Sequence, residues 1–389
     1  MVKPVAKLFQ DPAKNIMAEI GKTAALMKNV IDLSIGDPDM DTPRPIVNAT
    51  TQAMLEGNTH YTASDGDPRY LQTIVNFHNQ HFGSNYGLDN VRATVGASHA
   101  TDLAFGALLD PEDEVIIFEP YFAPYKVQVE QFHGKPVFVT CKAENNFQPQ
   151  KEDIEAAITP KTKVILVNSP NNPTGAVYDQ NVLQDIVTLA EKYDLYLIAD
   201  EVYWPYVFNE RTFIPLENLA PKRTIVTGSL SKVFAMTGFR IGYMLAPKEL
   251  ITAAGLLNEG VTYTAPSMAQ VAGTYGLQNV HELAAPLQDE FGKRLIYLSK
   301  ELNKLSWAKT IPVAGSIYLF LDITGSGMDD IEFSDYLLEQ AGILVIPGQA
   351  FGQGGRGFVR IAATQNMETL KKAVVGFNAL SFADQQTVK

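Results

Sequence analysis

KVILVN (Lys163–Asn168), LYLIAD (Leu195–Asp200) and TIVTG (Thr224–Gly228) decide the fold. Each is a short apolar run that closes on a polar residue or a glycine, and a helical pattern over Asn181–Tyr193 leads into the second. Runs this short, apolar at almost every position and separated by helices, are strands buried on both faces of a mostly parallel sheet. The alternation extends in both directions. Upstream, Val91–Val95, Glu114–Phe118 and Pro136–Thr140 predict strands, with helices beginning near Ser98 and Ala123; downstream, Ile241–Ala246 predicts one more. The expected core is α/β, a mostly parallel seven-stranded sheet flanked by helices.

Past about Ala285 the texture changes to a long helix (Leu287–Leu302), a strand (Ser316–Leu321), a helix (Ile331–Ala341) and two short strands around Leu344 and Val359. This predicts an N-terminal arm (1–44) that packs with a small α+β domain (286–389), and a large domain (45–285) between them. Length agrees, because 389 residues exceed the roughly 250–300 at which one core stops growing. Apolar residues make up 46% and charged residues 19%, the latter under the usual 25% or so, which leaves ample core and excludes disorder. A lone cysteine, Cys141, excludes an intrachain disulfide scaffold, and no repeat points to a solenoid. No apolar run approaches the roughly 18 residues that cross a bilayer, and the first residues lack a signal-type apolar stretch. A cytoplasmic protein without a membrane partner is expected. The net charge of -12 opposes nucleic acid unless cations are locally concentrated.

Parallel sheets place ligands at the carboxyl ends of their strands. There, Asn168 opens NSPNNPTG, Asp200 precedes Glu-Val-Tyr, and TIVTG opens SLSKVFAMTGFR. A carboxylate after an apolar run, as at Asp200, is desolvated unless a cation meets it. Two stretches lack acids altogether: 218–248, with Lys222, Arg223, Lys232, Arg240 and Lys248, and 340–367, with Arg356 and Arg360. They predict a site for a small anion. Lys232, in a Ser-Leu-Ser-Lys turn, is placed to act as an amine nucleophile, while Ser229 and Arg240 offer the donors a phosphate needs. Two patterns are discounted. Gly352, Gly354 and Gly357 fit GxGxxG but precede a strand instead of opening a helix, and His78 with His81 lacks a third ligand, which predicts surface histidines and no metal site.

NSPNNPTG (Asn168–Gly175), ADEVY (Ala199–Tyr203) and SLSKVFAMTGFRIGY (Ser229–Tyr243), in this order and spacing, resemble the class I/II aminotransferases, pyridoxal-phosphate enzymes of fold type I. LSIGDPDMDTP (Leu33–Pro43), HYTASDGDPRYL (His60–Leu71), TVGASHA (Thr94–Ala100), EPYFAPY (Glu119–Tyr125) and GFVRIA (Gly357–Ala362) extend the match over nearly the whole chain. The resemblance implies that Lys232 holds pyridoxal 5′-phosphate as a Schiff base and shuttles the substrate's proton. It implies that Asp200 pairs with the pyridine nitrogen, Asn172 and Tyr203 bond the ring oxygen, and Phe122 stacks on the ring. Backbone N–H groups of Ala97 and Ser98, with Ser229 and Arg240, would hold the phosphate. Tyr61 would reach the phosphate of a neighbouring subunit, which makes the active unit a homodimer with shared sites. Arg360 would grip the substrate's α-carboxylate, and the backbone of Gly36 would lie over the substrate.

The implied reaction moves an amino group between an L-amino acid and a 2-oxo acid, with 2-oxoglutarate the expected acceptor. Gly255–Ser267 holds no arginine of the kind that dicarboxylate-specific relatives present, and Tyr263 suits an aromatic or neutral side chain, so aromatic, neutral and aspartate donors stay open. The same scaffold supports a cystathionine β-lyase-like C–S lyase, although SKVFAMTGFR is more similar to transaminases. A non-catalytic cofactor-binding regulator is the remaining alternative.

Overall fold

The computed structural model describes residues 29–382 and, ahead of them, Lys3, Val5 and Met27; most of the expected N-terminal arm lies outside the described residues. Strand β1 (Ile31–Asp32) precedes the large sheet. That sheet is built from β2 (Val91–Thr94), β3 (Glu114–Glu119), β4 (Lys135–Thr140), β5 (Thr162–Asn168), β6 (Tyr196–Asp200), β7 (Thr224–Ser229) and β8 (Gly242–Leu245). Its order is β2-β8-β7-β6-β5-β3-β4, and β8 runs antiparallel to both its neighbours while the other pairings are parallel. Each strand expected for this sheet is present within a few residues of its expected bounds.

The continuous apolar runs are explained by where alternate side chains go. Ile116, Phe118, Ile165, Val167, Leu197 and Ala199 enter one core with helix Gln180–Lys192. Val115, Ile117, Val164, Leu166, Ile198 and Ile225 enter another with helix Ala97–Leu108. With both faces covered, no position along these strands has reason to be polar until the carboxyl end.

Downstream, helix Val280–Leu302 runs unbroken through Pro286, so the residues on either side of position 285 share one helix. Strands β9 (Lys309–Thr310), β10 (Tyr318–Asp322), β11 (Ile343–Leu344), β12 (Ile346–Pro347) and β13 (Phe358–Ala362) follow. β12, β13, β10 and β9 form an antiparallel sheet in that order, while β11 pairs in parallel with β1. Leu33, Phe291, Leu295, Leu321, Phe333 and Phe377 share one core, which joins the segment after β1 to the C-terminal helices.

The GxGxxG stretch has a structural use. Glu119 at the end of β3 accepts from the backbone N–H groups of Gln353 and Gly354, both at 3.3 Å, and a Cβ on Gly352 would lie 2.3 Å from its Oε1. The glycines let the backbone close on a carboxylate of its own chain. Among the described residues no helix is long and apolar enough to cross a membrane.

Candidate active site

The carboxyl ends of β5, β6 and β7, the start of helix Ala97–Leu108 and strand β13 surround a cavity of about 550 Å³. Eleven of the twelve residues expected at the site line it: Gly36, Ala97, Ser98, Phe122, Asn172, Asp200, Tyr203, Ser229, Lys232, Arg240 and Arg360. The twelfth, Tyr61, is 85% exposed and stands outside it, edge-on to Tyr263 at 5.4 Å. Of the seven basic residues in the two acid-free stretches, Lys232, Arg240 and Arg360 reach the cavity. Arg223 and Lys248 pair instead with Asp194 and Asp89, so the lack of acids marks more than one environment.

Asp200 ends β6, and its buried carboxylate accepts from the Tyr125 hydroxyl at 2.5 Å and from the N–H of Val202 at 3.3 Å. Among the described residues no cation forms an ion pair with it. Burial therefore pushes Asp200 up to about 6, with the Tyr125 bond opposing the rise. Tyr125 itself is driven well above its ordinary value by burial and by the charge of Asp200, so it stays a donor.

Asn172 is placed by its own loop. Asn168, at the end of β5, donates to the Asp200 carbonyl at 3.0 Å and accepts from the Asn172 N–H at 2.9 Å. Asn171 accepts from both the N–H and the hydroxyl of Thr174. The three asparagines and the threonine thus replace a regular turn with side-chain bonds, which leaves the Asn172 amide facing the cavity.

Lys232 sits in a turn where Ser229 accepts from the Ser231 N–H at 3.1 Å and Tyr206 donates to the Lys232 carbonyl at 2.6 Å. Its Nζ donates to the carbonyl of Gly36. Arg360 reaches in from β13, fully buried, donating to Asn172 Oδ1 at 3.0 Å and to the Ser34 carbonyl, while its Nε has no partner. Its guanidinium lies 4.4 Å from the Tyr318 ring and 4.8 Å from Phe351. Burial lowers its proton affinity, and Tyr318 and Tyr203 oppose that effect.

Helix Ala97–Leu108 begins after Gly96 with no side chain capping its first N–H groups. Gly96 has φ 80° and a Cβ there would lie 3.0 Å from Arg240 Nη2, so glycine both makes the turn and admits the guanidinium. Arg240 is held by the Thr237 carbonyl at 2.9 Å. Gly36 is the second place where a side chain has no room: a Cβ would fall 1.9 Å from Tyr318 Oη.

Sequence reasoning missed Tyr125 and Tyr318, and it misplaced His78, which is buried against Glu217 and Tyr243 and does not face solvent. The reason is the aromatic and carboxylate partners brought to it by distant segments. Among the described residues no cluster of metal-ligating side chains forms.

The sequence pattern of the class I and II aminotransferases matches residues 28–377. Aspartate aminotransferase of Pyrococcus horikoshii is 37% identical over 92% of both chains. Aspartate/prephenate aminotransferase of Thermus thermophilus is 34% identical over 90% of both. Among solved structures, a single mutant of Thermus thermophilus aspartate aminotransferase superposes with a TM-score of 0.93 at 32% identity, covering 97% of this chain and 99% of that one. An aromatic aminotransferase from Pyrococcus horikoshii gives 0.87 at 30%, covering 92% and 97%. The chain belongs to the class I and II aminotransferases, enzymes that work with pyridoxal 5′-phosphate.

Proposed function

We propose that this cavity transfers an amino group between an L-amino acid and a 2-oxo acid in two half-reactions, on pyridoxal 5′-phosphate bound at the carboxyl edge of the large sheet. The observation that carries the reading is the meeting of Lys232, Asp200 and Arg360 in one cavity. The residues suit the cofactor. The uncapped N–H groups at Ala97 and Ser98, with Ser229 and Arg240, make an anion cradle. Asp200, a buried acid without a cation, is what a protonated ring nitrogen needs. Asn172 and Tyr203, which line the cavity, would bond the ring oxygen, and Phe122 would cover a ring face. When bound, the cofactor supplies an electron sink conjugated to the substrate's α-carbon.

The chain's own residues do the rest. Arg360, with an unpartnered Nε and stacking on Tyr318 and Phe351, takes the α-carboxylate in a fixed plane and so orients the Cα–H toward Lys232. Lys232 would hold the cofactor through its Nζ, and the same amine, when free, would take the proton from Cα. Tyr61, exposed and outside its own cavity, serves the site of a second copy in a two-fold dimer. The reading keeps the division into arm (1–44), large domain (45–285) and small domain (286–389), and a cytoplasmic location supported by the single cysteine.

For the donor's side chain, each cation lining the cavity already has a task. Residues 45–68 and 249–292, which carry the exposed Tyr61 and Tyr263, contain no lysine or arginine. These stretches bring no such cation to a second carboxylate, which supports a neutral or aromatic donor. The relatives named aspartate aminotransferase favour the second reading, an acidic donor. Lys232→Ala is expected to abolish turnover, and borohydride should fix the cofactor to Lys232 in the parent protein. Protein that gains no absorbance on addition of pyridoxal phosphate refutes the proposal. Single half-reactions with phenylalanine, tyrosine, leucine and aspartate then separate the donor readings, and fastest loss of absorbance with aspartate selects the second.

A further inference from the structure

Glu201 follows Asp200 in the ADEVY stretch, yet it does not line the cavity. Its buried carboxylate accepts from the N–H of Leu216 at 3.2 Å, where the short helical turn Leu216–Leu219 begins. The next residue, Glu217, is 1% exposed, and its Oε1 meets His78 Nδ1 at 3.0 Å and the Ser84 hydroxyl at 3.2 Å. His78 Nε2 in turn meets the Tyr243 hydroxyl on β8 at 3.0 Å. Glu217 Oε2 is buried with no partner that could donate to it while Glu201 is ionised. Glu201 holds the N–H of Leu216, the residue just before Glu217, so both carboxyls are buried at the start of one turn.

The titratable groups facing Glu201 are Asp200 on its own turn, Glu217 from the helical turn, Tyr86 from the loop before β2 and Tyr243 from β8, with His78 behind Glu217. No lysine or arginine is among them. Two ionised carboxylates side by side there would leave Glu217 Oε2 without a donor and Glu201 without a cation, since His78 and Ser84 reach only Glu217 Oε1, whereas one proton on Glu201 satisfies the orphaned oxygen and removes a charge. Burial and the charge of Glu217 push Glu201 well above the usual carboxylate range, which agrees.

We propose that Glu201, protonated and donating to Glu217, is a positioning residue: it fixes the Asp200–Tyr203 turn against the Leu216–Leu219 turn and β8, and so sets where Asp200 and Tyr203 meet the cofactor. The backbone anchors the same turn elsewhere, since the Glu201 N–H donates to the Thr227 carbonyl on β7 and the Trp204 N–H closes the turn on the Glu201 carbonyl. The inference rests on the roles given above to Asp200 and Tyr203.

Two variants test it. Glu201→Gln keeps a donor toward Glu217 and an acceptor for Leu216; Glu201→Met keeps the bulk and has neither. Glu201→Gln should retain near-parental kcat/KM and the parental pH midpoint of the bound cofactor's absorbance. Glu201→Met should lose about 10- to 100-fold in kcat/KM, the scale on which removing a group that orients a liganding side chain is felt, and should shift the midpoint. A Gln variant as impaired as the Met variant, or a Met variant with an unmoved midpoint, overturns the proposal. A further arm needs no cofactor. An acid kept protonated only in the fold costs stability progressively as pH rises from its unfolded toward its folded value. Glutamine carries no such cost, so Glu201→Gln should gain melting temperature on the parent as pH climbs from about 4.5, the ordinary Glu value. A difference independent of pH refutes the shared proton, even if Glu201→Met does not fold. Failure of the cofactor reading shows separately, as parent protein that gains no absorbance with pyridoxal phosphate.

Discussion

Asp200→Asn should stabilise the cofactor-free protein and destabilise the loaded one. The buried carboxylate is raised from 3.8 to about 6 by desolvation, with no cation to offset it. Each tenfold in proton affinity corresponds to about 1.4 kcal/mol, so ionised Asp200 costs the cofactor-free fold about 3 kcal/mol. The sign follows from which state holds the proton. Between 3.8 and about 6 the folded chain keeps a proton that the unfolded chain has released, so stability falls as pH rises through that interval. Below it the cost vanishes; above it the cost is complete. Asparagine escapes this cost while its Oδ1 can still accept from Tyr125. Urea unfolding of both cofactor-free proteins, at several pH values from about 3.5 to 8, should show midpoints that converge at the acid end and separate by the equivalent of about 3 kcal/mol above the interval. With pyridoxal phosphate bound, the order should invert, because breaking a buried ion pair costs about 3–5 kcal/mol. Equal midpoints at neutral pH, or a gap that does not change with pH, would refute the view that Asp200 waits as an uncompensated charge.

Arg360→Lys keeps the charge but loses the planar fork that bonds Asn172 and stacks on Tyr318 and Phe351. One charged hydrogen bond to substrate is worth about 1.5–3 kcal/mol, so kcat/KM should drop about 10- to 150-fold while the bound cofactor's spectrum stays unchanged; a changed spectrum would argue against a substrate role. Gly36→Ala places a Cβ on the Tyr318 hydroxyl and should cost about 1–3 kcal/mol of stability. Tyr318→Phe in the same chain should recover part of it, and a double variant no more stable than the single one would show that the strain lies elsewhere.

The large sheet was readable because burial on both faces leaves each strand as an apolar run with a polar end. The short strands β1, β9 and β12 carry two residues each and no pattern that sets them apart from loops. At the site, Asp200, Asn172 and Lys232 stand where strands end, and the linear sequence shows that. Tyr125 and Tyr318 do not, since each sits in a stretch that reads as core and acquires its role only by meeting Asp200, Gly36 or Arg360 from far along the chain. Arg360 was marked by the acid-free stretch 340–367, but only the family resemblance set it apart from Arg356, because a strand arginine alone carries no sign that it turns inward. His78 was misread for the converse reason, as its partners Glu217 and Tyr243 lie in segments distant from it.

Strand β8 is the one member of the large sheet that runs against its neighbours, with Gly242 opposite Ser229 on β7. A parallel successor to β7 would have required a crossover to the far edge of the sheet, returning only after a full strand. The reversal keeps the chain at the carboxyl edge throughout the loop 230–241, which contains both Lys232 and Arg240. Lys232 and Arg240, the proposed nucleophile and phosphate clamp, are thus spaced by a single hairpin, a molecular ruler pinned at both ends by hydrogen-bonded β-structure. An insertion or deletion in that loop would alter the spacing between Lys232 and Arg240 directly, whereas the C-terminal sheet reaches Lys232 through Gly36 and Tyr318.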